Sequence, residues 1–474
     1  MEMSKKELWS GRFRKQLEPA AKRFSSSPED ALLLRYDIAG SIAHAMGLAK
    51  ARLLTPSELD SIVGSLRSIY TGFSNQPEKL LSGEEDIHMA VEAELTRIDP
   101  ELGPKLHTAR SRNDQIALDL RLFVRDGLVQ LASDLLELEE TILDVAGKYR
   151  DAPLPGYTHT QRAQPVYLSH HMLAHFWRFS RDMHRVWSAF DSGDSNPLGA
   201  GALAGTSHRI DPSYTASLLG FSRTFENSLD ASSERDVCLD TAFLSSMIAI
   251  HLSSVAEEIV LWSSSEFGYA VLPDELSTGS SLMPHKKNPD MAELVRGKTG
   301  TVVSQLLSMF MTMKGLLAGY SRDLQEIKRP LFTTMGEVSS MVHITSSLLS
   351  GIEFNTDKMA ENASDKLTYS VEVVDELVRK GTPFRKAHSG VGEAVAAAAQ
   401  TGEPLENVLQ RVWPDIRLPA GPREAIELRS TPGGSSMRSV EEQMAAAADE
   451  MEAARRWIRS KGNAVAAVDR LLNE

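Results

Sequence analysis

LVQLASDLLELEETILDV, residues 128–145, repeats its apolar side chains at Leu128, Leu131, Leu135, Leu138, Ile142 and Val145. The spacings alternate three and four, which places all six on one stripe of an α-helix and predicts a long helix packed against others. The helix should end at Asp151-Ala152-Pro153-Leu154-Pro155-Gly156, where two prolines remove backbone donors and a glycine permits a turn.

Working outward, the same periodicity dominates from about residue 114 to residue 352. A second helix is expected from Asp236 to Phe267, which holds no internal proline or glycine. A third stripe runs through Val303, Leu306, Phe310, Met313 and Leu317, and a fourth through Val338, Met341, Thr345, Leu348 and Ile352. Strand-like alternation is scarce, so the fold class expected is all-α. Helices of about 25–30 residues are roughly 40 Å long, and several of them side by side make an elongated bundle. Stripes of that length exceed what one chain's bundle covers, so self-association is expected. The expected division is an N-terminal helical domain over 1–110, a central long-helix domain over 111–360 and a C-terminal helical domain over 361–474.

The chain has 474 residues, long enough for two or three domains. A net charge of −13 argues against a nucleic-acid or anionic-membrane surface, though not against a locally basic pocket. One cysteine, Cys238, rules out a disulfide framework and reads as a small core residue. The start, Met1-Glu2-Met3-Ser4-Lys5-Lys6-Glu7, lacks the apolar run of a secretory signal. Phe243 to Trp262 is interrupted by serines, His251, Glu257 and Glu258 and does not read as a membrane span. A cytoplasmic location is the expectation.

Four polar stretches do not serve a bundle. Ser277-Thr278-Gly279-Ser280-Ser281-Leu282-Met283-Pro284-His285-Lys286-Lys287-Asn288-Pro289-Asp290 reads as a mobile loop stiffened at its far end, with Pro289 opening a helix. Two lysines and an amide beside a helix N-terminus would suit a carboxylate, although a solvated linker has the same composition. Pro155 to Pro165 carries Thr158, His159 and Arg162 and is expected to open another long helix. Lys105 to Gln115 and Tyr320 to Lys328 add cationic and amide donors. There is no phosphate loop and no acidic metal cage. The inventory suits binding a polycarboxylate and moving a proton beside it. His171 and His175 stand four apart on a helix, but the intervening Met172-Leu173-Ala174 lacks the glutamate of a zinc hydrolase motif. No third ligand is evident from spacing, so helix-packing or inter-subunit histidines are expected and no metal site is assigned.

Gly279 to Pro289 closely resembles the signature loop of the fumarase/aspartase superfamily, whose members eliminate fumarate from a succinyl group. Arg110-Ser111-Arg112-Asn113-Asp114-Gln115, Tyr157 to Pro165 and Tyr320 to Lys328 resemble the argininosuccinate lyase branch in particular. The likeness extends from Trp9-Ser10-Gly11-Arg12-Phe13 to Thr431-Pro432-Gly433-Gly434. It implies three helical domains, a twenty-helix core in a homotetramer, and active sites built from three chains. It also implies cofactor-independent β-elimination of argininosuccinate to arginine and fumarate. By this resemblance Ser27, Arg112, Asn113, Thr158, Asn288, Tyr320, Gln325 and Lys328 would contact substrate, and Ser280, His159 and Lys286 would carry the chemistry. The pattern departs at Ser25-Ser26-Ser27-Pro28, at Ala109 where glycine is usual, at His285 for glutamine, and at Ile327 for an acidic residue.

The proton to be removed lies beside a carboxylate, and its loss builds a second negative charge there. Lys286, Asn288 and the helix start after them would meet that charge. Ser280 is favoured as the base, with His159 serving the leaving nitrogen; the residues alone leave open which of the two takes the first proton. Two rival readings stand beside this one. The first is a superfamily lyase acting on adenylosuccinate, aspartate or malate. The second is a non-catalytic structural protein, as in the lens crystallins recruited from this fold.

Overall fold

In the computed structural model, which describes residues 17–474, the 128–145 stripe lies within one helix of 37 residues. The Met1 to Glu7 segment and the Trp9 to Phe13 motif lie outside the described residues. Among the longer helices are α1 (Leu34–Lys50), α2 (Arg112–Lys148), α3 (Leu168–Gly193), α4 (Asp236–Trp262), α5 (Asp290–Met313), α6 (Lys328–Gly351) and α7 (Met437–Val465). Helices α2, α3, α4, α5 and α6 pack against one another as the central bundle.

Every residue of the first stripe is buried, from 0% exposure at Leu128, Leu135, Leu138 and Ile142 to 6% at Val145. Each such side chain contributes about 1.5–3 kcal/mol over leaving it in water. The fourth stripe, Val338 to Ile352, is buried as well. The third behaves differently. Helix α5 ends at Met313, so Leu317 falls beyond it, and Val303, Leu307, Phe310 and Met311 are exposed. These recur at helical spacing, so α5 turns an apolar face outward. Phe243, Ile250 and Leu261 on the adjoining α4 do the same.

Helix α4 ends at Trp262, short of the expected Phe267. By length and composition it could cross a membrane, contrary to the sequence reading, but half of its most apolar window is buried in the bundle. Cys238 on α4 is fully buried, and burial pushes its thiol up to about 12. Beyond residue 368, Tyr369, Val373, Leu377, Val391, Leu405 and Leu409 form a core of their own. The chain then returns along the bundle as α7, whose Trp457 stacks on Trp187 of α3 at 6.1 Å.

The start of α2 is tied to the chain around it. Ser111 caps it, its Oγ accepting the Asn113 N–H at 3.2 Å. The buried Asp114 carboxylate accepts N–H groups from Ser111 (2.9 Å) and Gly201 (2.9 Å), fixing the 199–205 turn against the helix. Just upstream, Ala109 sits at φ 62°. That is a left-handed conformation costing a side-chain-bearing residue about 1–2 kcal/mol, and it is where glycine is usual in the resembling family. Ala109→Gly should therefore raise the thermal midpoint. The net gain should be at most about 1 kcal/mol, because glycine also gains freedom in the unfolded chain. A lower midpoint would mean that the Ala109 methyl packs usefully.

Candidate active site

The expected site residues fall into three groups. The first joins the N-terminal segment to the start of α6. Lys328 and Asp30 are both buried, and Lys328 Nζ donates to Asp30 Oδ2 at 2.6 Å. Ser27 Oγ donates to the other oxygen of Asp30 at 2.9 Å. Gln325 Nε2 donates to the Ser25 carbonyl at 3.3 Å, and Arg322 donates to the same oxygen at 2.9 Å while pairing with Glu85. Tyr320 is half-buried; burial pushes its hydroxyl up, opposed by the guanidinium groups of Arg235 and Arg322. Arg112, the first residue of α2, reaches toward Asp86 at 3.5 Å and Glu92 at 3.8 Å. Asn113 donates to the Ala202 carbonyl at 3.0 Å.

The sequence reading missed Asp30 and Arg235 here. Asp30 is raised by burial, which Lys328 and Ser27 counter without reversing. It holds two expected substrate contacts, Ser27 and Lys328, in place from a position 298 residues away from the lysine. The signal available was Ser27-Pro28-Glu29-Asp30, in which Pro28 starts a short 3-10 turn that brings Asp30 back to Ser27. Arg235 is fully buried, and its Nε and Nη2 have no hydrogen-bond partner among the described residues.

The second group is a hairpin. Pro155 to Pro165 does not open the helix directly: Pro153–Thr158 (β1) pairs antiparallel with Gln161–Tyr167 (β2), and α3 begins only at Leu168. The two-residue tip is His159-Thr160, at φ 55° and 56°. Two successive positive φ values match the right-handed twist of paired strands. They are costly for a β-branched threonine, the kind of strain that collects at functional positions. The result exposes Thr158 and His159 at the hairpin's end. Behind them a cleft of about 870 Å³ lies between the hairpin and the C-terminal segment, lined by Tyr157, Tyr269 and Thr368 among others and bridged where Arg162 donates to Asn362 at 2.7 Å.

The third group is the Gly279 loop. Thr278–Gly279 pairs with Lys287–Asn288 in a short antiparallel ladder, closing residues 280–286 into an exposed tip. Pro289 takes the N-cap position and α5 starts at Asp290, one residue later than expected. Ser280 Oγ accepts two backbone N–H groups, from Met283 at 3.0 Å and Leu282 at 3.3 Å. Donors aimed at a hydroxyl oxygen favour its negatively charged form. The two lysines divide their work. Lys287 is held by the Leu272 carbonyl and Asp274, both at 2.5 Å, whereas Lys286 is exposed and bonds only through its backbone N–H, to the Met283 carbonyl at 3.1 Å, its Nζ making no hydrogen bond or ion pair among the described residues. Asn288 Nδ2 donates to Thr278 Oγ1 at 3.4 Å.

No hydrogen bond or ion pair among the described residues links these three groups. Family comparisons match residues 11–304 to the family described as Lyase and residues 368–426 to the family described as Argininosuccinate lyase C-terminal. The argininosuccinate lyase of Nostoc sp. is 41% identical over 459 residues, covering 95% of this chain and all of that one. The chain belongs to the argininosuccinate lyase family. The family's enzyme from Pelotomaculum thermopropionicum is 45% identical over 402 residues, covering 85% of this chain and 87% of its own. Among solved structures, an EDDS lyase in complex with formate shares the fold at a TM-score of 0.84 and 23% identity, covering 96% of this chain and 93% of its own. A class II fumarase from Schistosoma mansoni does so at 0.71 and 15%, covering 83% and 89%. Argininosuccinate lyase family membership thus rests on sequence over nearly the whole chain, and the neighbours carry the helical three-domain fold.

Proposed function

We propose that the chain cleaves argininosuccinate to L-arginine and fumarate by β-elimination, as a homotetramer in the cytoplasm whose sites each draw on three chains. The observation that carries the activity is the full-length relation to argininosuccinate lyases. The outward apolar faces of α4 and α5 support the assembly, since a patch of that extent on a bundle helix calls for cover by further copies. The absence of any bond between the three groups supports sharing: within one chain Ser280 and His159 stand on separate hairpins.

In this reading Ser280, its Oγ already facing two N–H donors, takes the proton from the carbon beside the substrate carboxylate. Lys286, unpaired and exposed at the loop tip, meets the charge that builds on that carboxylate, and Asn288 helps hold it. His159 serves the departing guanidino nitrogen as proton donor or organiser. Ser27, Arg112, Asn113, Tyr320, Gln325 and Lys328 hold the rest of the substrate, Thr158 joining from the hairpin. Lys328 keeps donors beyond the one given to Asp30, so it can bind substrate while staying paired. The reading calls on no metal and no organic cofactor.

A substrate panel tests it. Argininosuccinate should be turned over with or without a chelator, and adenylosuccinate, aspartate and malate should be poor. Equal or faster turnover of any of the three would contradict the assignment.

A further inference from the structure

His171 and His175 face one turn of α3 toward α4, and the structure supplies the third group that their spacing could not show. His171 Nε2 lies 2.7 Å and His175 Nε2 2.9 Å from the same oxygen of Glu258, with the two rings 5.4 Å apart. Two imidazole nitrogens and a carboxylate oxygen therefore converge on one point between two rigid helices. We propose that this is a binding site for a divalent transition-metal ion of the zinc class, separate from the catalytic groups.

The donor set is two neutral imidazoles and one carboxylate, a combination zinc takes with a water in the fourth position. Bonds of roughly 2.0–2.1 Å in a tetrahedron set ligand atoms about 3.3 Å apart. Glu258 must then retreat by about half an ångström, which its side chain, 32% exposed, can do by rotating. His171, 27% exposed, gives an ion a way in. A second cluster, Asp37, His88 and Asp119, has the same kinds of ligand but is sealed at 0–1% exposure and offers no such path.

The site also has a position in the fold. His171 packs on Trp262 at 5.0 Å, Trp262 on Tyr269 at 6.5 Å, and the Tyr269 hydroxyl meets that of Tyr157 at 3.0 Å, next to Thr158. An ion here would cross-link α3 to α4 two aromatic rings away from the hairpin that presents His159.

The test is calorimetric titration of zinc chloride into chelator-stripped, full-length protein. One ion per chain is expected, with affinity reduced at least about 10²-fold in both His171→Gln and Glu258→Gln while fumarate release is retained. Affinity unchanged in both variants, or no binding at about 1 mM zinc, would overturn the site. If either variant misfolds, zinc-edge X-ray absorption on the unaltered protein decides. Two imidazole nitrogens at roughly 2.0–2.1 Å support the site, and a shell of oxygens only contradicts it.

Discussion

Ser280→Ala should lower kcat by at least about 10²-fold with KM little changed, because it removes the group that moves the proton and leaves the carboxylate contacts in place. A serine hydroxyl is a poor base in water. What distinguishes this one is that its oxygen faces the N–H groups of Leu282 and Met283, on an exposed loop tip where closure over substrate would exclude water from it. Lys286→Ala should behave differently, raising KM as well as lowering kcat, since its charge serves the carboxylate both before and during the reaction. Near-normal turnover by Ser280→Ala would move the base elsewhere, first to His159.

The second large effect is a recovery. His159→Asn and Ser280→Ala proteins should each be nearly inactive alone and regain activity when co-expressed as mixed tetramers. If a site draws His159 from one chain and Ser280 from another, random assembly leaves roughly a quarter of sites with both intact. Unequal expression lowers that share, so the diagnostic result is activity well above the sum of the parents. Mixed tetramers that form and stay inactive would place both residues in one chain.

The long helices were readable because burial on one side of a helix leaves a three-and-four spacing in the sequence, as at Leu128 to Val145. The third stripe, through Val303 and Phe310, shows the limit of that signal: periodicity marks a face that avoids water without saying whether its own chain covers it. The His159 hairpin was less legible. Its tip depends on two left-handed residues, His159 and Thr160, that are neither glycine nor asparagine, so local preference pointed away from the turn that forms. Resemblance supplied the site residues one by one, but their grouping depends on tertiary contacts. Nothing near Lys328 announces Asp30 as its partner, and nothing in the His171–His175 spacing announces Glu258 on α4. Spacing within a helix is local information; a ligand from another helix is not.

Elimination can be measured directly. Purified protein is given argininosuccinate, with fumarate followed by its ultraviolet absorbance and arginine by amino-acid analysis on the same samples. Fumarate and arginine should appear in equal amounts at equal rates. Arginine appearing without fumarate, as hydrolysis would give, or no release of either product, would contradict it.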